Sequence, residues 1–323
     1  MTVTDNPAGP DFLSQADPYR RELLAHCYRM LGSVHDAEDL VQETMLRAWR
    51  AYDRFEGRST LRTWLYRIAT SACLTALESR GRRPLPTGLG GPSEGGGQPL
   101  EVRDEVPWLE PMPGGADDTD PAAIVTARES MRLAFVAALQ HLPARQRAVL
   151  ILRDVLAWRA AEVAELLDTT TAAVNSALQR ARAQLDEVAP KQDEVVEPTA
   201  ADKRALLERY VAAFERKDVA AIVRLLAEDA VWEMPPFSTW FRGPEQVARH
   251  LTGQCPGGPG DFRFVFTEAN GDPALGMYLR AADSPVFRPF NLQVLTVSGS
   301  VFSHVVSFFD LRLFDTFGLP STR

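Results

Sequence analysis

Residues 33–49 read SVHDAEDLVQETMLRAW, and this stretch decides the architecture of the N-terminal part of the chain. Ser33 stands three residues before Asp36, the spacing at which a hydroxyl takes an early backbone N–H and starts a helix. Ala37, Leu40, Val41, Thr44 and Ala48 then recur at helical spacing and predict one buried face. A second helix is expected from about Ser59, with Leu61, Leu65, Ile68, Ala69 and Ala72 inward. Residues 17–83 therefore read as a block of helices.

Working outward, residues 84–125 contain PLPTGLGGPSEGGGQPL and VPWLEPMPGG. Proline and glycine this dense exclude regular helix or sheet, so the segment reads as a long linker. Trp108 and Leu109 are its apolar exceptions. Residues 126–189 return to helix. Ala161, Val163, Ala164 and Leu167 would pack one helix, and Val174, Ala177, Leu178, Ala181 and Leu185 the next. Between them lies Asp168-Thr169-Thr170, with Thr170 a good N-cap, and the spacing is that of a helix-turn-helix. Residues 190–200 form a second linker. In residues 201–323, two amphipathic helices (about 202–216 and 218–227) precede Val231-Trp232-Glu233-Met234. The runs FRFVFTEA, ALGMYLRAA, FNLQVLTV and VFSHVVSFFD follow. Helices first and antiparallel-looking strands after predict an α+β domain.

The 323 residues suffice for two or three compact units, and 45% hydrophobic with 24% charged residues is ordinary globular composition. No apolar run reaches spanning length, and MTVTDNPAGPDF is not a secretory signal, so no membrane partner is expected. Cys27, Cys73 and Cys255 form no CxxC or Cys/His spacing, which argues against structural zinc, a disulfide framework or a metal cofactor, and fits a reducing cytoplasm. The net charge of −8 is uneven. Residues 17–83 carry 12 Lys+Arg against 9 Asp+Glu, residues 84–125 carry 1 against 8, and residues 126–189 carry 8 against 7. An acidic protein is a poor free DNA binder, so DNA reading here needs a partner that supplies basic surface.

With Val174, Leu178 and Ala181 inward, Asn175, Gln179 and Arg182 share the outer face of the last helix, flanked by Thr171, Ser176 and Arg180. Asn and Gln pair bidentately with adenine, and Arg with guanine, in the major groove. A solvated polar face on an ordinary helix pair has the same spacing.

The first block separates these readings. DAEDLVQET (residues 36–44), ending at Arg47-Ala48-Trp49, resembles the polymerase-binding helix of sigma-70 family factors of bacterial RNA polymerase. FEGRSTLRTWLYRIA (residues 55–69) is similar to the adjoining −10 region, and LPARQRAVLILRDV, WRAAEVAELL and AVNSALQRAR to the −35-reading domain. The resemblance covers about residues 17–83 and 126–188. It implies the extracytoplasmic-function (group IV) type, which has only these two conserved domains. It implies that Glu38, Asp39, Leu40, Val41, Gln42, Glu43, Arg47 and Trp49 face the clamp helices of the polymerase's largest subunit, with the second domain on the flap of the second-largest. It places Arg58, Arg62, Trp64, Arg67, Ser71 and Thr75 near the −10 element of promoter DNA, where opened strands need aromatic and cationic surfaces. Trp64 also reads as core, and Arg80, Arg82 and Arg83 as phosphate contacts or ordinary surface. Thr171, Asn175, Ser176, Gln179, Arg180 and Arg182 fall at the −35 element. Ser71 and Thr75 replace the family's frequent Asn and Asp, and Asp168 its usual Gly.

Val106-Pro107-Trp108-Leu109-Glu110-Pro111 resembles a Trp-Leu-Pro linker motif of the subgroup with a C-terminal extension, and implies that Trp108 and Leu109 anchor the linker on that extension. Residues 201–323 resemble the SnoaL-like, NTF2-like fold, a curved sheet and helices around a conical pocket. Trp232, Met234, Trp240, His250, Arg280 and His304 are the pocket candidates. No acid–base pair stands at an informative spacing, so a non-enzymatic domain is expected, regulating the factor through a small-molecule ligand or a protein. Two rivals remain: a free-standing helix-turn-helix repressor, and a SnoaL-class enzyme with a DNA-binding appendage.

Overall fold

The computed structural model describes residues 9–79, 81–94, 99–114, 130–188 and 199–323. The chain divides into two compact units. The first joins Met1–Arg83 with Ala116–Pro190, and the second joins Pro84–Gly115 with Lys191–Arg323. Pro84–Gly115, within the segment read as a linker, thus belongs to the C-terminal unit, the unit on which Trp108 and Leu109 are expected to anchor it.

The first unit is all-helical: α1 (Gly9–Ala16), α2 (Arg20–Leu31), α3 (Val34–Ala51), α4 (Leu61–Glu78), α5 (Leu133–Leu139), α6 (Ala144–Leu150), α7 (Ala160–Leu166) and α8 (Thr171–Val188). Ser33 Oγ accepts from Asp36 N at 3.1 Å and starts α3. Thr60, one residue past the expected start, caps α4 through Thr63 N. Ala37, Val41, Thr44 and Ala48 are buried with Leu65, Ala69 and Ala72 of α4. A π-helical turn, Ile151–Val155, follows α6. Asp168 takes a left-handed φ of 51° in the turn before α8, a conformation Asp tolerates better than most residues. Thr170 Oγ1 then accepts from Ala173 N at 3.2 Å.

The two helical blocks pack against each other. The Tyr66 and Trp158 rings lie 5.5 Å apart, and Arg67 Nη2 donates to Glu165 O at 3.1 Å. The Arg147 guanidinium is buried, donating to Met30 O of the first block and, at 2.8 and 3.1 Å, to Gln140 Oε1 and Leu142 O of its own. Burial lowers its pKa to about 10, so it stays charged, and the carbonyl cage compensates for lost hydration.

In the second unit, α9 (Ala200–Glu215) and α10 (Val219–Val223) precede β1 (Leu226–Glu233) and β2 (Trp240–Arg242). Then come α11 (Pro244–Gly253), β3 (Phe262–Ala269), β4 (Asp272–Arg280), β5 (Phe287–Ser298), β6 (Val301–Phe308) and α12 (Arg312–Thr316). The sheet order is β2-β1-β6-β5-β4-β3, and it is mixed: β1 runs parallel to β6 while the other pairs are antiparallel. Gly243, at φ 81°, turns the chain from β2 into α11. Tyr210 and Phe214 of α9 pack with Trp232, Phe262 and Phe302 of the sheet to form the core.

Among the described residues of this segment, 84–94 and 99–114, the secondary structure is a 3-10 turn (Pro86–Gly88) and two isolated bridges, Val102 to Phe237 and Pro113 to Ala269. Both described stretches are nevertheless strapped down. Thr87 N donates to the buried Glu233 carboxylate at 2.6 Å, and Trp240 Nε1 donates to Gly90 O at 2.9 Å. Ser238 N donates to Glu101 O, and Arg103 N to Pro236 O. Met112 N donates to Asn270 Oδ1 at 3.0 Å while Asn270 N returns a bond to Met112 O. Leu109 is wholly buried; Trp108 is half-buried with Nε1 on Arg103 O.

Candidate functional site

Three helix surfaces of the first unit carry the predicted docking and DNA-reading residues. On α3, Glu38, Asp39, Gln42, Glu43 and Arg47 are exposed along one side, with Arg47 Nε on Glu43 Oε1 at 2.9 Å. Leu40 and Trp49 are half-buried. Val41 is 2% exposed and belongs to the core, so it cannot meet a partner, and its place in the predicted surface is corrected. Leu46, 51% exposed on the same acidic side, supplies an apolar contact that the sequence reading missed. Its signal was an apolar residue three beyond Glu43, off the buried stripe.

On α4 and its approach, Arg58, Arg67, Ser71 and Thr75 are exposed, and Trp64 is half-buried with its ring 4.8 Å from Phe55. Arg62 is differently employed. It forks onto Glu22 at 2.7 to 3.0 Å and lies over the Tyr66 ring at 4.9 Å, a bidentate, stacked geometry that ties α4 to α2. Arg83 is bonded to Asp36, and Arg82 to His141 Nδ1 at 3.0 Å; Arg80 lies outside the described residues.

On α8, Val174, Leu178 and Ala181 are buried, and Thr171, Asn175, Ser176, Gln179, Arg180 and Arg182 are exposed. Arg182 is held by Asp154 through two bonds of 2.7 and 2.8 Å. The others form a polar strip along the second helix of a helix-turn-helix, of the kind that reads base edges.

The second unit holds a cavity of about 290 Å³, near the lower bound of small-molecule sites. Trp232, Met234 and His250 line it; Trp240, Arg280 and His304 do not. Trp240 holds the strap, Arg280 pairs with Asp261 at 2.9 Å, and His304 Nε2 meets Glu233 Oε2 at 2.7 Å. Phe214, Phe237, Phe290 and Phe309 add aromatic wall. The polar lining that sequence reading missed is Asn291, Gln293 and Ser307. Its signal was a pair of amides two apart within the apolar run FNLQVLTV, which β-strand alternation puts on one face. Burial lowers the pKa of His250, whose Nδ1 lies 2.9 Å from Gln254 Oε1, so the ring is neutral. No carboxylate lines the cavity, and no cluster of three His, Cys, Asp or Glu suited to a metal exists among the described residues. No helix among them is long and apolar enough to cross a membrane.

An acidic helix, an exposed strip on a helix-turn-helix and a separate α+β unit define a transcription initiation factor with an appended domain, and sequence comparison agrees. Residues 16–83 match Sigma-70 region 2, residues 132–185 match Sigma-70, region 4, and residues 207–312 match the SnoaL-like domain. The chain is 57% identical over 315 residues to the ECF RNA polymerase sigma factor SigG of Mycobacterium tuberculosis H37Rv, covering 97% of this chain and 85% of that one. It is 32% identical over 261 residues to SigJ of the same strain, covering 77% and 75%. The crystal structure of M. tuberculosis SigJ aligns with TM-score 0.62 and 26% identity over 95% of this chain and 100% of that chain. The protein belongs to the extracytoplasmic-function RNA polymerase sigma factors, which direct transcription initiation and are not enzymes.

Proposed function

We propose that this sigma factor acts in the cytoplasm and that its C-terminal SnoaL-like unit tunes its use of promoters. In this reading Glu38, Asp39, Gln42, Glu43 and Leu46 of α3 dock on the clamp helices of the largest polymerase subunit. The α5–α8 block sits on the flap and reads the −35 element with Asn175, Gln179 and Arg180. Arg58, Trp64, Arg67, Ser71 and Thr75 lie along the −10 element.

The observation that carries the regulatory part is the strap. The segment joining the two helical blocks is anchored to the C-terminal unit by Glu233, Trp240 and Asn270. Whatever stabilises or loosens that unit therefore acts on the connection between the two DNA-reading blocks. The blocks themselves pack together through Tyr66, Trp158 and Arg147. Two blocks in mutual contact cannot lie on two separated promoter elements, so the packed arrangement is the resting one and polymerase binding opens it.

The test is reconstitution. Purified full-length protein, carrying fluorophores at Arg67→Cys and Glu165→Cys, is mixed with sigma-free core polymerase. Co-elution with loss of energy transfer between the labels is expected, and Trp240→Phe, which frees Gly90 O, should change the core concentration at which transfer is lost. Absence of co-elution overturns the proposed docking surface. Co-elution with an identical response from Trp240→Phe overturns the role of the strap.

A further inference from the structure

Of the exposed α8 residues, Arg182 is the one held by another side chain. Asp154 Oδ2 accepts from its Nε at 2.8 Å, and Asp154 Oδ1 from its Nη2 at 2.7 Å. That fork occupies the side edge of the guanidinium. The end edge, Nη1 with the outer N–H of Nη2, is a second fork of the same shape and matches two oxygens of a phosphate. Among the described residues nothing accepts from Arg182 Nη1. The Arg182 side chain is 58% exposed and that of Asp154 31%, so the cation stands on the solvent side of the pair.

Asp154 is braced by its own turn. It lies in the π-helical turn Ile151–Val155, which Leu156 N closes on Ile151 O at 3.0 Å. Trp158 N donates to Leu152 O at 2.9 Å, and the Arg153 guanidinium closes back onto Trp158 O. Ile151 and Leu152 are buried and seat the turn in the core of its block. An arginine ordered in this way before DNA arrives has less rotamer freedom to lose on binding. Its place along α8 indicates what it meets. A recognition helix presents its N-terminal residues to base edges. Arg182 stands eleven residues beyond Thr171, about 16 Å along the axis. The major groove is about 12 Å wide, so Arg182 falls at its bank, where the phosphates lie.

We propose that Asp154 is a positioning residue for promoter reading: it holds the side edge of the Arg182 guanidinium so that the end edge takes a phosphate of the −35 element. Asp154 itself touches no DNA. The inference rests on the −35 reading given above. It adds to it a backbone contact that fixes how deep α8 sits, which the base-reading residues alone leave open.

The test is holoenzyme, assembled from full-length protein and core polymerase, binding a −35 element selected from a random pool over a range of potassium chloride concentrations. Arg182→Gln should weaken binding about tenfold, evenly across single-base variants of the element. It should also lower the slope of log affinity against log salt by about one, the signature of one lost phosphate contact. Asp154→Asn keeps the cation, so the slope should hold while affinity falls about threefold. In the Arg182→Gln background Asp154→Asn should cost nothing more. Asp154→Glu, which keeps a forked acceptor, should recover most of the affinity. Arg182→Lys keeps the charge and should keep the slope, which separates the contact from any loss of stability in Arg182→Gln. An unchanged slope in Arg182→Gln, or a loss confined to one base pair, overturns the phosphate contact. Tighter binding by Asp154→Asn makes the carboxylate a competitor of the phosphate and overturns the positioning role. Equal costs of Asp154→Asn in both backgrounds overturn it as well. Asn175→Ala distinguishes the two failures. If it alters discrimination at one base while the Arg182 and Asp154 variants bind as wild type, the −35 reading stands and this inference falls. If none of these variants alters binding, the −35 reading falls with it.

Discussion

His26 sits wholly inside the first helical block with Nε2 2.9 Å from Thr70 Oγ1. Burial, with smaller contributions from Arg29 and Arg62, lowers its pKa from 6.5 to about 3. Between those values the unfolded chain takes up a proton that the folded chain refuses. Its contribution to stability is therefore full above pH 6.5 and falls toward pH 3, by about 1.4 kcal/mol per pH unit. Urea midpoints measured from pH 7 to 5 should decline in the wild type and flatten in His26→Gln; equal slopes would remove His26 as the cause. On α8, Asn175→Ala should cost about 1–3 kcal/mol at a single −35 base and relax discrimination there. Holoenzyme binding to a −35 element selected from a random pool, and to its single-base variants, measures this. Uniform weakening across all variants would instead assign Asn175 to backbone contact. Residue-level signals were the most legible part of the sequence. The caps at Ser33 and Thr170 and the left-handed Asp168 are local events, set by a side chain a few residues from the amide it serves. For Val41 the helix stripe, which puts it on the buried face, is the better guide than the resemblance, which put it among the docking residues.

At the scale of elements, α3, α4 and α8 were readable because a 3.6-residue period survives in one sequence. The cavity candidates were less so. Trp232 of β1 and Met234, just past its end, line the cavity, whereas His304 is out of step with Ser307, and Arg280 with Met277, across a two-residue period. Nothing local says which face looks inward, and the register shift in β4–β5 pairing between Met277 and Tyr278 weakens parity further. The strap was read by composition as solvated chain. Its docking rests on partners over a hundred residues away, such as Glu233 for Thr87 and Asn270 for Met112, so no local window could reveal it. Only Trp108 and Leu109 signalled attachment, and Leu109 carries the burial. Leu109→Ala should destabilise the C-terminal unit by about 2–5 kcal/mol and open residues 99–114 to protease. Denaturant unfolding with mapped proteolysis measures both, and an unchanged cleavage pattern would show that the polar bonds alone hold the strap.

For the whole molecule, the chain passes between its two units after Arg83, after Gly115 and after Pro190. Truncation after residue 200 therefore does not excise a module. It strips Thr87 and Met112 of their partners Glu233 and Asn270, and the shortened protein should bind an apolar-surface dye and aggregate where the full chain does not. The same route sets a leash. Fifteen residues separate Gly114 from Ser130, and a chain of that length can reach at most about 50 Å. Promoter elements nominally 25 base pairs apart are separated by about 85 Å along the duplex. In the proposed reading the difference would have to come from the breadth of the docked unit or from peeling the strap away, so the connection would limit how far apart the two blocks can reach. Deleting six residues from 115–129 should shift the preferred spacing between the elements toward shorter promoters. The same deletion combined with Leu109→Ala should recover the longer ones, the outcome expected if the appended unit acts as a ruler for the promoters this factor will accept.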